Sequence, residues 1–341
     1  MDFEKGLFVV DIQKLNRGSQ ADGVFYVEKK RKGDTKFGKS YLSLTLKDKT
    51  GTLDAKIWDD AERRDKEFQE KDFVSVKAVA EAYNGKIQLN IKKITKTETN
   101  SVDPAFFIKT TDCDINMLWL ELEQIINSLS NDVLKKLLSE IILADAETSQ
   151  LFKTTAGAKK LHHAYVGGLL EHTVAVARLA EQVSCLYQDI DRDMLLSGTL
   201  LHDIGKIVEY KQAGVSIESS DAGRLIGHLV IGIQMIDSAA MRLGINPYSD
   251  KRILQLKHMI LSHHGRYEYN SPVLPMTAEA FVLHFIDEID AKLNWLGQLQ
   301  KENQEKGADW SEYQNLYARQ FFLPSQSAVD NNADSDLENN G

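Results

Sequence analysis

From residue 22 to 94 apolar and polar positions mostly alternate, the period of half-buried strands. Gly23–Glu28, Ser40–Leu46, Thr52–Trp58, Phe73–Val79 and Lys86–Ile91 each read as a strand, rich in β-branched and aromatic side chains. Turn chemistry separates them: the basic run Lys29–Thr35, Asp48-Lys-Thr-Gly51, and the tight-turn dipeptide Asn84-Gly85. The charged segment 60–70 reads as a short helix. Five strands with a helical insert after the third is the order of an oligonucleotide/oligosaccharide-binding (OB) barrel.

After a polar connector over 97–115 the period changes. Met117–Ile126, Asp132–Leu143 and the stretches 169–186, 192–202, 223–243, 250–262 and 276–300 place apolar residues three and four apart. The expectation is a multidomain protein: an all-β OB barrel over 1–96, a linker over 97–115, and an all-helical domain over 116–323. The stretch 324–341, with its VDNNADSDLENNG, is expected to be a disordered acidic tail.

Composition adds charge asymmetry. The chain of 341 residues has 41 Lys/Arg and 50 Asp/Glu, net −9. Residues 1–100 hold 21 basic and 17 acidic side chains, leaving 20 and 33 for the remainder, so +4 stands against −13. The first part suits a polyanion, whereas the second discourages non-specific nucleic-acid binding unless its acids are neutralised. No apolar run is long enough for a membrane helix, the start lacks signal-peptide character, and two cysteines make no disulfide framework, so a cytoplasmic protein is expected.

An OB barrel holds single strands with aromatics on an open face and cations beside them. Phe25, Tyr41, Trp58 and Tyr83 are the candidate stacking residues. Lys29, Lys30, Lys39 and Lys86 are the candidate phosphate contacts. The expected partner is a single-stranded nucleic acid, with a homo-oligomer as an open possibility.

All nine histidines lie between 162 and 284. The centre of the pattern is Leu200-Leu-His-Asp-Ile-Gly-Lys206, where His202 and Asp203 follow an apolar helical run. Around it stand His172, His228, His258, the pair His263-His264, and Asp287, each on or at the end of a predicted helix. Imidazole and carboxylate suit a divalent first-row metal, and helices of a bundle can bring them to one pocket.

The helical part resembles the HD-domain metal-dependent phosphohydrolase superfamily through its ordered H…HD…D residues. That resemblance implies His172, His202, Asp203 and Asp287 as ligands of a first metal. It implies His228 and His263, with His264 as a further candidate, as ligands of a second, with Asp203 bridging. With the barrel in front and HHAYVGGLLEH, LLHDIGK and LSHHG behind, residues from about 5 to 323 are similar to the YhaM-like 3′→5′ exoribonucleases. The family implies a manganese-favoured nuclease that trims single-stranded RNA, and less well single-stranded DNA, from the 3′ end and releases 5′-mononucleotides; magnesium or another divalent first-row metal remains open.

Two-metal phosphodiester hydrolysis is chemically consistent with this set. Lys206 is expected to hold a phosphate oxygen. His163, or its neighbour His162, is expected to serve the leaving group or orient a phosphate, and Arg266 and Tyr269 to meet the nucleotide. Alternatives are an HD nucleotide or cyclic-dinucleotide phosphodiesterase, and a nucleic-acid-binding protein with an inactive HD domain. Gly265-Arg-Tyr-Glu-Tyr-Asn lacks the GYP segment of the cyclic-dinucleotide group, and the complete ligand set disfavours an inactive domain.

Overall fold

A computed structural model describes residues 4–159 and 163–324. The chain forms two compact units: residues up to Thr111 together with Lys211–Glu218, and the remainder.

The first unit is a closed barrel of β1 (Gln20–Asp34), β2 (Ser40–Asp48), β3 (Gly51–Ile57), β4 (Phe73–Tyr83) and β5 (Lys86–Thr97), in the order β1-β2-β3-β5-β4. Closure leaves no open sheet edge. Leu42, Leu44 and Leu46 of β2 and Leu53, Ala55 and Ile57 of β3 point inward, as alternation requires, and are buried with Phe25, Val27 and Leu89. Two short helices belong to this unit: α1 (Val9–Gln13) and, between β3 and β4, α2 (Ala61–Arg64), after which Phe68 enters the core.

The second unit is helical. Its elements are α3 (Ile115–Ser128), α4 (Asp132–Leu138), α5 (Ala146–Thr154), α6 (Gly168–Leu186), α7 (Arg192–Leu201), α8 (Lys206–Glu209), α9 (Asp221–Leu225), α10 (His228–Arg242), α11 (Lys251–Ser262) and α12 (Ala278–Lys306). Asp114, Asn131, Asp145, Asp191 and Asp250 cap the N-termini of α3, α4, α5, α7 and α11 with side-chain oxygens on backbone N–H groups. Leu169, Leu170, Val174, Leu195, Leu196, Leu200 and Leu283 form one core with α3 and α11 side chains and fix α6, α7 and α12 against each other. Each fully buried leucine stabilises that arrangement by about 1.5–3 kcal/mol.

The helical run is interrupted. β6 (Tyr210–Ala213) and β7 (Ser216–Ser219) pair as a hairpin, and residues 211–218 belong to the barrel's unit. There Val215 packs in a cluster with Val24, Tyr26, Phe73, Val102 and Phe107. The part of the expected connector around Phe107 is therefore also packed structure. The expected tail lies outside the described residues. Among the described residues, no helix is long and apolar enough to cross a membrane.

Candidate metal centre and strand-binding face

α6 supplies His172, the end of α7 supplies His202 and Asp203, and α12 supplies Asp287. The Nε2 atom of His172 stands 3.1 Å from Nε2 of His202, 3.2 Å from Oδ1 of Asp287 and 3.7 Å from Oδ2 of Asp203. The Nε2 atom of His202 is 3.3 Å from that same Asp203 oxygen and 3.9 Å from Asp287. Ligand atoms about 2.1 Å from one ion and at right angles stand roughly 3 Å apart, so these spacings fit a shared cation.

The second group converges from α10 and the end of α11. His228, His263 and His264 each offer a ring nitrogen, all within 4.8 Å of one another. Asp203 faces both groups. Its Oδ2 is turned to His172 and His202, and its Oδ1 lies 3.5 Å from Nε2 of His228 and 3.8 Å from Nε2 of His263. Among the buried atoms here that lack a hydrogen-bond partner are Oδ1 of Asp203, Nε2 of His228 and Nδ1 of His264. Such orphans are costly unless something binds them, and N and O atoms aimed at one volume fit a divalent cation.

The outer nitrogens are anchored. Nδ1 of His202 donates to the carbonyl of Thr199 (2.7 Å), Nδ1 of His263 to that of Ile260 (2.8 Å), and Nδ1 of His172 to Asp290 (2.7 Å). Nδ1 of His228 stands 2.6 Å from Oε2 of Glu209, a close contact without hydrogen-bond geometry. A proton fixed on Nδ1 leaves the Nε2 lone pair of a neutral ring for a metal.

Two glycines make the approach possible. A Cβ on Gly205 would lie 2.0 Å from the carbonyl oxygen of His228, so only glycine lets the start of α10 close on the His202–Asp203 turn. Gly265 has φ +71°, and a Cβ there would meet the ring of His284 at 2.2 Å. That ring donates to the carbonyl of His263 (2.9 Å) and supports the ligand turn from behind.

Electrostatics follow from burial. Burial pushes the Asp203 carboxyl up, but Lys206 and His202 outweigh it and hold the group well below the usual carboxylate range. Burial likewise opposes, and His172 and His202 enforce, ionisation of Asp287. Burial lowers His263 and His264, keeping both imidazoles neutral and available as donors to a cation.

Two of the expected catalytic residues occupy other positions. Lys206 is buried, and its ammonium donates to Oδ2 of Asp203 (2.5 Å) and to the carbonyl of Gly157 (2.6 Å). It is held as a counter-ion of Asp203 rather than extended toward a phosphate. His163 is also buried, and both ring nitrogens are engaged: Nε2 with Asp290 (2.9 Å) and Nδ1 with the Tyr165 hydroxyl (3.1 Å). Its ring lies 5.3 Å from that of His172, and with both nitrogens engaged it presents none to a leaving group, which corrects its expected role. His162 lies outside the described residues. Asp290 and Glu209 were not recognisable as site residues from motif matching; their signal is position, three residues beyond Asp287 and Lys206 respectively.

Arg266 and Tyr269 are exposed just after the double histidine, with the guanidinium 5.7 Å from the tyrosine ring centroid. His258 accepts from the backbone N–H of Met276 (2.9 Å) and ties a loop.

On the barrel, Tyr41 and Trp58 form a platform, with ring centroids 5.0 Å apart and 34° between planes. Gly33 lies opposite Tyr41, where a Cβ would meet its ring at 2.9 Å. The next row of the outer face holds Arg31, paired with Ser43, and Lys56, whose ammonium donates to the Ser43 hydroxyl (2.8 Å) and lies 5.0 Å from the Tyr41 ring centroid. Lys29 and Lys39 are exposed, Lys39 with Asp59 at 2.9 Å. Tyr83 and Lys86 are exposed partners at the end of the β4–β5 hairpin.

Phe25 and Lys30 are corrections. Phe25 is fully buried inside the barrel and cannot stack on a base. Lys30 donates to the carbonyls of Asp65 (2.7 Å) and Phe68 (2.6 Å), anchoring the segment after α2. Arg31, Lys56 and Phe37 are further candidates that strand periodicity did not single out, Phe37 being 98% exposed at the β1–β2 loop tip. An apolar residue between Lys36 and Lys39 within a turn was the available signal for it.

The HD domain family matches residues 169–292, and the OB-fold nucleic acid binding domain family matches residues 27–97. A 3′-5′ exoribonuclease YhaM from Geobacillus sp. (strain WCH70) is 33% identical over 313 residues, covering 92% of this chain and 94% of that one. The YhaM of Bacillus subtilis (strain 168) is 32% identical, covering 90% and 96%. The chain belongs to the YhaM family. A third YhaM, from Listeria monocytogenes, is 33% identical with 90% and 96% covered, so the likeness extends through both units. An HD domain and an OB fold, the two parts of this family reading, are those the geometry displays.

Proposed function

We propose that the protein is a divalent-metal-dependent 3′→5′ exoribonuclease that trims single-stranded RNA to nucleoside 5′-monophosphates. Single-stranded DNA is a weaker substrate in this reading, and a stable hairpin stops the enzyme. The observation that carries the hydrolytic part is the division of Asp203, one carboxylate oxygen on each of two histidine groups. The direction rests on the name borne by the relatives, because ligands alone do not encode which end is used.

His172, His202, Asp203 and Asp287 would hold one ion, and His228, His263 and His264 with the other oxygen of Asp203 a second. Mixed imidazole and carboxylate donors suit manganese, with magnesium or another first-row divalent ion as the alternative. Bound there, divalent ions supply an activated water and positive charge beside the phosphoryl oxygens. Lys206 keeps Asp203 ionised and oriented. Arg266 and Tyr269 are proposed to meet the terminal nucleotide.

The barrel's part is retention. Tyr41 and Trp58 would stack on bases, with Tyr83 as a further aromatic contact, while Lys29, Arg31, Lys39, Lys56 and Lys86 would face the backbone. Stacking tolerates any base, so broad sequence preference follows, and a duplex hides its bases from such a face. The proposed location is the cytoplasm.

RNA labelled at the 5′ end, incubated with and without manganese, tests the reading. The expected result is a metal-dependent descending ladder without early labelled mononucleotide. Early release of that mononucleotide would reverse the polarity, and cleavage of circular RNA would make the activity endonucleolytic.

A further inference from the structure

Asp290 is absent from the ligand set, yet it is among the best-anchored carboxylates of the helical unit. It follows Asp287 by three residues and precedes Asn294 by four, so all three lie along one face of α12. One oxygen, Oδ2, takes two contacts: Nδ1 of His172 at 2.7 Å and Nε2 of His163 at 2.9 Å. Both are direct hydrogen-bond distances.

A carboxylate only accepts, so each histidine must present an N–H to it. His172 therefore carries a proton on Nδ1, which leaves Nε2, 3.1 Å from Nε2 of His202 and 3.2 Å from Asp287, as the atom that can face a cation. His163 is held in turn. Its backbone N–H donates to Asn294 (3.2 Å), its other ring nitrogen meets the Tyr165 hydroxyl (3.1 Å), and that hydroxyl also reaches Glu171 (3.0 Å). The residue adopts φ +50°, an uncommon conformation for a side chain of this size, with its carbonyl accepting from the N–H of Gly157 (2.9 Å). The surroundings thus over-determine the place of a histidine that meets the cluster through Asp290 and packs with its ring 5.3 Å from that of His172.

We propose that Asp290, braced by His163, is the positioning residue of the metal centre, fixing the tautomer and ring orientation of His172 so that Nε2 is presented to the cation. This rests on the reading of His172 as a metal ligand. It makes His163 a brace for Asp290, held in turn by Asn294 of the same helix.

The test is manganese titration of full-length Asp290→Ala, Asp290→Asn and His163→Gln, followed by calorimetry and by the manganese concentration giving half-maximal RNA hydrolysis. Outer partners of ligating histidines typically govern affinity by about 10–100-fold. Asp290→Ala should weaken manganese binding by that order. Asp290→Asn, which keeps the shape and one acceptor, should lose less, and His163→Gln should fall between wild type and Asp290→Ala. Excess manganese should restore most of the turnover, and RNA affinity measured in chelator should not move.

Wild-type manganese affinity in both Asp290 variants would overturn the proposal, and so would a turnover loss that excess metal leaves untouched. Should Asp290→Ala fail to fold, Asp290→Asn still decides the matter. A wild type that binds manganese but does not degrade RNA would sink the proposed activity alone, since the calorimetric comparison needs no substrate.

Discussion

Lys206 and Asp203 form a buried ion pair at 2.5 Å, with side chains 10% and 3% exposed. Asp203 is also the carboxylate on which both histidine groups converge, so one charge compensation serves two circumstances. Without a cation, the lysine is the principal partner that offsets burial of the anion; with cations bound, the positive charge is shared. Removing one member of a buried pair costs about 3–5 kcal/mol because the other charge is left uncompensated. Lys206→Met is therefore expected to lower the melting temperature of chelator-treated protein, and manganese should recover part of that loss. Melting curves of wild type and variant, with chelator and with manganese, check it; an equal deficit in both conditions would contradict the shared-charge account.

The turn carrying His263 and His264 depends on Gly265. Its φ of +71° and the His284 ring behind it leave no room for a methyl group. Gly265→Ala should cost at least about 1–2 kcal/mol from backbone conformation alone, and should weaken manganese binding as the turn shifts. Adding His284→Ala should recover part of the metal affinity by clearing the clash. A double-mutant cycle on chemical denaturation and metal titration measures this, and strict additivity would argue that ring and glycine are not coupled.

The barrel and the histidine–aspartate cluster were legible in the sequence for different reasons. Period-two alternation in β2 and β3 reflects one face in the core and one outside, which a pattern can read. The cluster was legible because histidine and aspartate in an ordered series carry chemistry independent of packing. Phe25 was misplaced because β1 is buried on both faces over residues 23–27: Phe25 points into the barrel, and Tyr26 is covered by a cluster containing Phe107 and Val215. Such a strand has no exposed face to reveal its register. The covering hairpin comes from residues 211–218, nearly two hundred positions away, in strands too short for periodicity to register. Lys206 and His163 lie beside the cluster, but the helical spacing that pointed to Lys206 and the motif order that pointed to His163 say which residues are near and not which atoms they face.

A pH dependence of stability follows from α11. Asp250 caps this helix on the N–H groups of Arg252 and Ile253, and its carboxylate lies 2.6 Å from the Arg252 guanidinium. Arg252 foremost, then the backbone donors, hold its carboxyl down at about 2. A depressed folded-state value stabilises the fold above the ordinary carboxylate range, and the contribution is lost as pH falls through about 4 toward 2. Asp250→Ala should lose about 1 kcal/mol at neutral pH, as N-caps do. Urea midpoints of variant and wild type, taken at pH 7 and as far into acid as both stay folded, should converge. A gap that persists or widens in acid would assign the effect to something other than this carboxylate.

The aromatic residues of the barrel separate into two classes whose variants should behave oppositely. Tyr41 and Trp58 are partly exposed, packed on each other beside Lys56, and their removal leaves the inner core intact. Stacking of a base on an aromatic ring is worth about 1–3 kcal/mol, so Tyr41→Ala and Trp58→Ala should each weaken single-stranded RNA binding by roughly 5- to 150-fold. Neither should alter hydrolysis of a small phosphodiester by the helical unit. Phe25→Ala, by contrast, empties a fully buried position and should cost about 3–5 kcal/mol of barrel stability. Whatever RNA affinity it loses should track the unfolded fraction and return on cooling or with stabilising osmolyte, whereas the losses at Tyr41 and Trp58 should not. Fluorescence anisotropy with labelled oligonucleotide, run beside melting curves for all three variants, distinguishes the classes. Wild-type RNA affinity in a folded Tyr41→Ala/Trp58→Ala double variant would remove this platform from the strand-binding face and leave retention to the loops around Phe37 and Tyr83.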